Sequence, residues 1–460
     1  MTHVTANPAN PIPTASGSLP LVGHAVPLLR NPWAFLLSLP DQGDLVRIRV
    51  GPTSAVVVCD AELTHQVLVN DRVFERAGPL LDRALEIVGN GLITCPADEH
   101  RRQRRQIQPA FNPERLCGYT TTMVTQIDAV TGSWRDGRVV DALTEASRLT
   151  SKVMVATMFS DVLPPATVDQ VIKDLDSITA GMYQRMLQPP PLDRLPTPGN
   201  VRYNRAIARL RTVIGEVVAH HRSAGTDQPG LLSAFMAAHD AQLMTDTELV
   251  NQAVGMFIGG AEAPSTALGW ALHLIAEHPD VQRRLQAESD AVLAGASASV
   301  DLLPSLPFTT RVVTETLRLW PPLWLTTRVV AADTELAGHS LPAGTVLVVS
   351  PYLLHRSPAL YRHPERFDPD RWAPDNPNQP DRNAFIVFGG GPRKCIGDQF
   401  FVNEAVLALA TIAGRWHLES LPGQTVRPAL SAILHPRQWL LRTVARTPER
   451  KVSMHHTEPE

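Results

Sequence analysis

The stretch Phe388–Gly397, with the sequence FGGGPRKCIG, constrains this chain more than any other. Its three consecutive glycines, starting at Gly389, allow positive φ angles and leave no Cβ to block a flat ligand. Apolar residues recur at helical spacing after Cys395, so the cysteine lies at the start of a helix, where unpaired N–H groups and the helix dipole favour a thiolate. Arg393 adds a positive charge suited to an anionic ligand group. A glycine loop with a buried structural cysteine is the alternative interpretation.

Short runs of alternating apolar residues predict a small amount of β-structure. Val46–Val50 and Ala55–Cys59 flank a Gly-Pro turn, which indicates a β-hairpin. Strand-like runs return at Thr326–Val330 and Thr345–Val349. These runs predict small sheets at one side of a mainly helical protein.

Helical patterns dominate from about Ala61 to Gln286, with proline-rich loops at Leu163–Pro165 and Gln188–Pro198. No linker separates independent units, and the proline loops are expected to cover a pocket. We therefore expect a flexible arm over residues 1–18, one large domain over 19–445 and a tail over 446–460.

Composition excludes several classes of protein. A formal net charge of −3 gives no general attraction to nucleic acid or anionic membranes. The four cysteines lie far apart, without the spacing of a disulfide framework or a metal-binding motif. Prolines and charges interrupt the apolar stretch after Ser18, so it is neither a signal peptide nor a membrane span. We expect a soluble, cytoplasmic protein without a membrane anchor.

Two further motifs precede the cysteine loop. Glu315 and Arg318 lie three residues apart on one helix face, and Pro364–Trp372 follows them, with Arg371 near its end. An E-x-x-R pair by itself is common on surface helices. His100 and Arg104 are neighbours on a helix rich in arginine, which is ordinarily a solvated basic face.

In combination, these motifs resemble those of the cytochrome P450 family, over almost the whole chain from about Pro20 to Leu441. The resemblance implies a mainly α fold with small β-sheets (α+β) and a haem b cofactor whose iron is held by the Cys395 thiolate. It also implies a buried ion network of Glu315, Arg318 and Arg371 that braces the cysteine loop. The other residues that it assigns to the haem are Phe388, Gly389 and Ile396 around the ring and His100, Arg104, Arg328 and Arg393 at the propionates.

One long helix carries the expected catalytic residues. Thr245–Glu248 forms a capping box, and the helix should run to about Glu277, before His278-Pro279. Within it, the residues Gly259, Gly260 and Glu262 fit the family pattern [A/G]-G-x-[D/E]-T of the oxygen-binding helix. The threonine position holds Ala263, although that hydroxyl normally organises proton delivery to dioxygen. Ser265 points elsewhere on the helix and cannot replace it.

By resemblance, the substrate pocket is lined by apolar residues from four segments. Such side chains suit an apolar small molecule, such as a terpenoid-like or polyketide-like (macrolide-like) skeleton, and are also typical of plain core. The candidates are Leu80, Leu81, Leu85, Ile87, Met182, Met186, Phe257, Leu323, Trp324 and Leu325.

The resemblance implies a monomeric monooxygenase that uses O2 and receives electrons from a separate ferredoxin and ferredoxin reductase. No flavin- or nicotinamide-binding motif is visible. Two alternatives remain: a peroxide-using or isomerising haem-thiolate enzyme, suggested by Ala263, and a non-catalytic haem-binding sensor or carrier. Some basic residues near the cysteine loop are not assigned to the haem and are candidates for docking an acidic electron carrier. They are Arg101, Arg102, Arg105 and Lys394.

Overall fold

The computed structural model describes residues 11–159, 163–187, 195–224, 230–381, 383–429 and 433–446. Helices dominate it, and none of the helices within these ranges is long and apolar enough to cross a membrane. The predicted mainly α fold with small sheets is confirmed. The helices are α1 (Ala25–Arg30), α2 (Pro32–Leu37), α3 (Ala61–Val69), α4 (Pro79–Val88), α5 (Ala97–Ile107), α6 (Pro113–Thr131), α7 (Ala142–Phe159), α8 (Pro165–Leu187), α9 (Pro198–Ala224), α10 (Leu231–Asp240), α11 (Asp246–Glu277), α12 (Pro279–Leu293), α13 (Pro307–Leu319), α14 (Pro351–Leu354) and α15 (Asp398–Arg415).

The strands form three small sheets. The largest has five strands in the order β1-β2-β8-β5-β3, in which only β2 and β8 run parallel. A second sheet has the order β4-β10-β9, and β6 and β7 pair by themselves. The strands are β1 (Leu45–Val50), β2 (Thr53–Val58), β3 (Phe74–Glu75), β4 (Val139–Asp141), β5 (Thr326–Val330), β6 (Thr334–Leu336), β7 (His339–Leu341), β8 (Val346–Val349), β9 (Trp416–Ser420) and β10 (Leu440–Ala445).

The strand predictions agree closely with these bounds, since the hairpin is β1–β2 and the two later runs are β5 and β8. The strands β3, β4, β6, β7, β9 and β10 were not foreseen. Four of them, β3, β4, β6 and β7, have only two or three residues, too few to show alternation. β9 and β10 have five and six residues, and β10 pairs with the distant β4 as well as with β9.

The expected flexible arm needs a correction at its inner end. Ile12 and Ala15 are buried, and the Ala15 N–H donates to the Arg47 carbonyl over 2.8 Å, so residues 11–18 run alongside β1. Residues 1–10 and 447–460 lie outside the described ranges. Arg446, the first residue of the expected tail, pairs with Asp290 and is therefore anchored.

Two apolar cores hold the molecule together. The larger one joins the helices α4–α13 and α15, and the smaller one lies around the five-stranded sheet. Helix α11 crosses the larger core with most of its side chains buried, and its predicted capping box and C-terminal end are confirmed. Trp270 of α11 stacks on Trp320 with ring centroids 3.8 Å apart, which fixes α11 against the end of α13.

The glycine loop before α15 packs directly on α3. Gly391 has φ 61°, and a Cβ there would lie 2.5 Å from the Leu68 carbonyl oxygen. Gly389 also has a positive φ, of 71°, but a Cβ there would have no neighbour closer than 4.0 Å. Gly390 is extended at φ −156°, so only two of the three glycines use the positive φ that the sequence allows.

Gly389 and Gly391 form a matched pair for a stability test. Gly389→Ala should cost about 1 kcal/mol, because only the left-handed backbone is strained. Gly391→Ala should cost at least about 2 kcal/mol more, because the methyl group also forces the loop away from α3. Urea unfolding of both variants measures the difference. Equal free energies of unfolding would contradict the close packing of this loop.

Candidate active site

The cysteine loop is closed by its own backbone. The Cys395 N–H donates to the Phe388 carbonyl over 2.9 Å, and the Gly397 N–H donates to the Cys395 sulfur. Gly397 is the N-cap of α15, so the cysteine lies two residues before the cap rather than in the first helical turn. These hydrogen bonds hold the thiol at a fixed position, and residue Cys395 retains some exposed surface.

The charge of this thiol differs from the sequence prediction. Surrounding protein shields it from bulk water, and this burial raises the pKa of Cys395. Asp398 also raises the pKa, whereas the Gly397 N–H, Arg76 and Arg104 lower it without reversing the net increase. A metal cation that binds the sulfur would replace the proton and reverse this balance.

Beside the thiol, a cluster of basic side chains converges from four parts of the chain. His100 comes from α5, Arg328 from β5 and Arg393 from the cysteine loop. Arg76, which the sequence analysis did not single out, joins them from the segment after β3. We call Arg76, His100, Arg328 and Arg393 the cation cluster.

The cation cluster has few negatively charged partners in the protein. Burial and the neighbouring arginines lower the pKa of His100 to about 3, of Arg328 to about 9 and of Arg76 to about 10. Within the described ranges, its only ion pair joins Arg393 to Asp71 over 3.6 Å.

Several donors of the cluster are also unused. Nε of Arg76, Nε of Arg328 and both Nε and Nη2 of Arg393 are buried without a hydrogen-bond partner. Buried unpaired donors are unfavourable unless a ligand accepts their hydrogen bonds. The donor set fits a ligand with two carboxylates, such as the propionates of haem, next to a metal-binding thiol.

Arg104 has a different set of contacts. Its Nη1 donates to the carbonyls of Lys394 and Pro392, at 2.6 and 3.1 Å. The side chain therefore ties α5 to the cysteine loop. Its expected contact with a propionate stays a prediction.

A buried ion network lies behind the loop. Glu315 and Arg318 are both fully buried, and two parallel hydrogen bonds of 2.8 Å join them. Arg371 Nε reaches the same carboxylate over 3.3 Å, and Trp372 Nε1 donates to it over 2.9 Å. The structure thus brings together the three residues that the resemblance grouped, and it adds Trp372.

His355 links this network to the cysteine loop, and no sequence motif had marked it. Its Nδ1 lies 3.1 Å from the Arg318 carbonyl, and its Nε2 accepts the Ile386 N–H over 3.0 Å. Since Nε2 accepts, the proton is on Nδ1. Burial and Arg318 lower the pKa of His355 to about 3, so the ring stays neutral. Ile386 lies two residues before Phe388, so the network positions the start of the loop.

The glycines of α11 have different roles. A Cβ on Gly260 would lie 2.6 Å from the Met154 sulfur, so this glycine allows α7 to pack closely. Gly259 is exposed, and the nearest atom to its Cβ position is 3.9 Å away. Ala263 is only partly buried, and the Ser265 hydroxyl donates to the Glu262 carbonyl over 2.8 Å. Ser265 is therefore occupied within its own helix, as expected.

Glu262 belongs to a polar group above this part of α11. The Thr179 hydroxyl of α8 donates to its carboxylate. Burial, with a contribution from Asp176, raises the pKa of Glu262 to about 7. Burial likewise raises the pKa of Asp176, which lies near His435. Three separate segments thus place a carboxyl group that can hold a proton near neutral pH beside Ala263.

The candidate pocket residues divide into two groups. Leu85 and Leu323 are exposed, and Leu81 is partly buried, as lining residues would be. Ile87 and Phe257 are buried in the larger core, where Phe257 packs on Phe159 with ring centroids 5.5 Å apart. Met182 packs against the larger core, Trp324 belongs to the smaller core, and Leu325 packs against the smaller core. The side chains of Leu80 and Met186 lie outside the described residues.

Comparison with known proteins decides the family. The family model described as "Cytochrome P450" matches residues 13–441. The chain belongs to the cytochrome P450 family. Membership makes it a P450 monooxygenase and implies a haem-iron cofactor.

Individual P450 proteins agree with this assignment. Pentalenene oxygenase of Streptomyces avermitilis is 43% identical over 438 residues, which is 95% of this chain and 98% of the relative. Cyclooctat-9-en-7-ol 5-monooxygenase of Streptomyces melanosporofaciens is 42% identical over 417 residues, or 90% of this chain and 91% of the relative. The crystal structure of the cytochrome P450DA heme domain has a TM-score of 0.84 at 24% identity and covers 96% of this chain and 99% of its own.

The cation cluster gives a test of haem binding in this P450. Arg76→Gln should weaken haem affinity roughly thirtyfold, because a desolvated carboxylate that loses a charged donor costs about 2 kcal/mol. The same change should leave the melting temperature of the haem-free protein unchanged or raise it, since it removes a repelled charge.

Arg101→Gln is the matched control, because Arg101 is exposed on α5 and should change neither quantity. Haem content after gel filtration and calorimetry of the haem-free protein measure the two effects. Equal haem loss in both variants, or a destabilised haem-free Arg76→Gln protein, would show that Arg76 does not serve the carboxylates.

Proposed function

We propose that this P450 oxidises an apolar terpenoid, inserting one oxygen atom of O2 while electrons arrive from a separate ferredoxin and ferredoxin reductase. The cysteine loop with its adjacent anion-deficient cation cluster is the observation that carries the haem-dependent part. The substrate class is supported by the two Streptomyces relatives, which are named as oxygenases of pentalenene and of cyclooctat-9-en-7-ol. Exposed apolar side chains at Leu85 and Leu323 suit such a skeleton.

Each part of the site has a proposed role toward haem b. Cys395 binds the iron, and Phe388, Gly389 and Ile396 border the ring. The cation cluster and Arg104 neutralise the propionates, with Arg76 as an additional donor. The thiolate-bound haem supplies the oxygen-activating chemistry of the reaction. Glu315, Arg318, Arg371 and His355 hold the loop and take no part in the chemistry.

The electron donor is proposed to dock on the loop side of α5. Arg101 and Arg105 are exposed there and suit a small acidic protein. Lys394 is also exposed, but its ammonium group already pairs with Asp398 over 2.6 Å. Arg102 is less suited, because its guanidinium pairs with Glu248 at the start of α11. The proposed docking patch is therefore smaller than the sequence alone indicated.

Proton delivery is proposed to use a water molecule or a polar group of the substrate. Pro264 has no N–H, so the Gly260 carbonyl cannot receive the usual helical hydrogen bond from it. The open space beside Gly259 provides room for a hydroxyl at that carbonyl. Glu262 holds a proton close by near neutral pH, and Thr179 orients its carboxyl group. This arrangement replaces the hydroxyl that Ala263 lacks.

A peroxide-using or isomerising enzyme is the second candidate function. The observation that favours it is Ala263 itself, because reactions that start from peroxide do not require the same delivery of protons to dioxygen. Product formation with hydrogen peroxide alone, and not with NADPH, ferredoxin and reductase, would identify it.

The first test concerns the metal ligand. The reduced carbon monoxide complex should show the red-shifted Soret band of thiolate ligation, and Cys395→His should abolish it because an imidazole donates less electron density. Cys59→Ser, Cys95→Ser and Cys117→Ser are the matched controls and should retain the band. A Cys395→His protein with the band intact would refute the assignment.

The second test concerns Ala263. Pentalenene and cyclooctat-9-en-7-ol are screened first by the spin shift that they induce, and product per NADPH is then measured with the better one. Wild type should couple well, and Ala263→Thr should leave coupling unchanged or worsen it, since the new side chain occupies the space proposed for water or substrate. Poor coupling in wild type that the threonine restores would contradict this mechanism.

A further inference from the structure

A cavity of about 320 Å³ lies between the loop of residues 362–366 and the segment 368–378. All seven residues that line it are polar or charged. Arg362, His363, Arg366 and Arg371 contribute basic groups, and Asp368 contributes the one acidic group of the lining. We call this cavity the arginine pocket. It concentrates positive charge in a protein whose formal net charge is −3.

The buried ion network fixes the loop that forms one wall of the arginine pocket. Two carbonyls of the loop accept hydrogen bonds of 2.8 and 3.2 Å from Arg371, and two others accept hydrogen bonds of 2.6 and 3.1 Å from Arg318. Because these carbonyls point inward, the side chains of Arg362, His363 and Arg366 lie on the exposed outer side. His363 has φ 50°, a conformation that is uncommon for residues other than glycine.

The opposite wall of the pocket is also held in place. The Asn376 Nδ2 donates to the carbonyls of Asp370 and Arg371, each over 3.1 Å. The Asn376 Oδ1 accepts the Asn378 N–H over 2.9 Å. Both walls are therefore fixed by the protein itself, and the pocket is preformed.

The floor of the pocket contains a buried guanidinium group with unused donors. Arg371 lines the pocket although only 6% of its side chain is exposed. In the described ranges, three of its N–H groups donate, one to Glu315 and two to loop carbonyls. Arginine has five N–H groups, so two remain for the pocket. Arg318 of the same network uses all five. The difference indicates that Arg371 has an acceptor outside the protein.

The ion network behind the pocket carries surplus positive charge. Arg318 and Arg371 both pair with the Glu315 carboxylate, which is their only acidic partner within the described ranges. Two buried guanidinium groups thus share one negative charge. A second anion beside Arg371 would balance the network, because buried charges are favourable only when they are compensated.

The rim of the pocket has further charge that the protein does not balance. The side chains of Arg362 and Arg366 form no ion pair or hydrogen bond with any residue that the structure describes. Asp368 uses one carboxylate oxygen to accept a backbone N–H over 3.2 Å. Glu365, the acidic residue of the loop, pairs with Arg356 and does not line the pocket. The rim arginines therefore remain available to a ligand.

We propose that the arginine pocket binds a small molecule through a diphosphate group. Phosphate oxygens accept several charge-assisted hydrogen bonds at once, and the planar fork of arginine matches their geometry. Three arginines around one cavity suit an anion with more than one negative charge. The volume lies near the lower limit for small-molecule sites, which suits inorganic diphosphate or a small metabolite that carries the group.

This site has a different use from the site of the proposed function. It shares no residue with the cation cluster or with the candidate substrate pocket. Its floor, however, belongs to the network that positions the cysteine loop. A bound diphosphate neutralises the surplus charge of that network, so the ligand stabilises the folded protein.

Titration calorimetry of the full-length haem-loaded protein with sodium diphosphate at constant ionic strength tests the proposal. Diphosphate should bind with a Kd of about 100 μM or lower, and inorganic phosphate at least tenfold more weakly. A saturating concentration should raise the midpoint of thermal unfolding by about 3 °C. ADP binding as tight as that of diphosphate would support a metabolite as the ligand, and rejection of ADP would support the free anion.

The rim variant Arg362→Gln/Arg366→Gln should lose at least thirtyfold in diphosphate affinity, because two charged donors are removed. The matched control is Arg202→Gln/Arg205→Gln, which removes two exposed arginines of α9 and should bind like wild type. Circular dichroism and haem content verify the folding of each variant.

Three results would overturn the proposal. They are the absence of diphosphate binding to wild type, equal affinities of the rim variant and the control, and equally tight binding of sulfate at the same ionic strength. Absence of diphosphate binding together with slower ferredoxin-driven reduction of the rim variant would assign these arginines to the electron donor instead. Diphosphate binding requires no turnover, so its failure is distinct from failure of the proposed monooxygenase activity.

Discussion

The buried pair of Glu315 and Arg318 is the interaction on which the site depends. All five N–H groups of Arg318 donate, two to the carboxylate and three to the carbonyls of His355, Pro364 and Arg366. Full satisfaction matters because a buried charge with missing partners costs several kcal/mol. The carbonyl acceptors lie in the segment before the cysteine loop, so the pair organises irregular backbone that has no sheet or helix to support it. His355 extends this order to Ile386 and hence to the loop.

The cation cluster follows the opposite principle. Arg318 is neutralised inside the protein, whereas Arg76, Arg328 and Arg393 retain buried unpaired donors. Arg393 lowers the pKa of Arg76, Arg328 and His100, and Arg76 lowers the pKa of Arg328 and His100. The unpaired donors of the cluster fit a dianionic ligand. Arginine is thus a neutralised scaffold residue at position 318 and a candidate binding residue in the cluster.

Helix α11 shows a comparable division within a few residues. Glycine at position 260 lowers the helix propensity but leaves room for α7 to pack against it, and proline at position 264 removes one helical hydrogen bond. Most of the remaining helix is buried and capped, so it remains helical through both residues. The local weakness is confined to the turn that carries Glu262 and Ala263, where Pro264 leaves the Gly260 carbonyl without the usual helical hydrogen bond.

The sequence by itself determined the elements whose signals are local. The capping box at Thr245, the β1–β2 hairpin and the cysteine loop with its following helix could all be predicted, because spacing and turn residues act over a few positions. The tertiary structure decided what depends on contacts between distant segments. Arg76 and His355 stand in no motif, and only the fold brings Arg76 close to Arg393 and Cys395 and His355 to the Ile386 N–H. Packing also placed Phe257 in the core, and burial reversed the expected effect of the helix on the pKa of Cys395. Solvent exclusion is a property of the assembled core, and no local pattern in the chain encodes it.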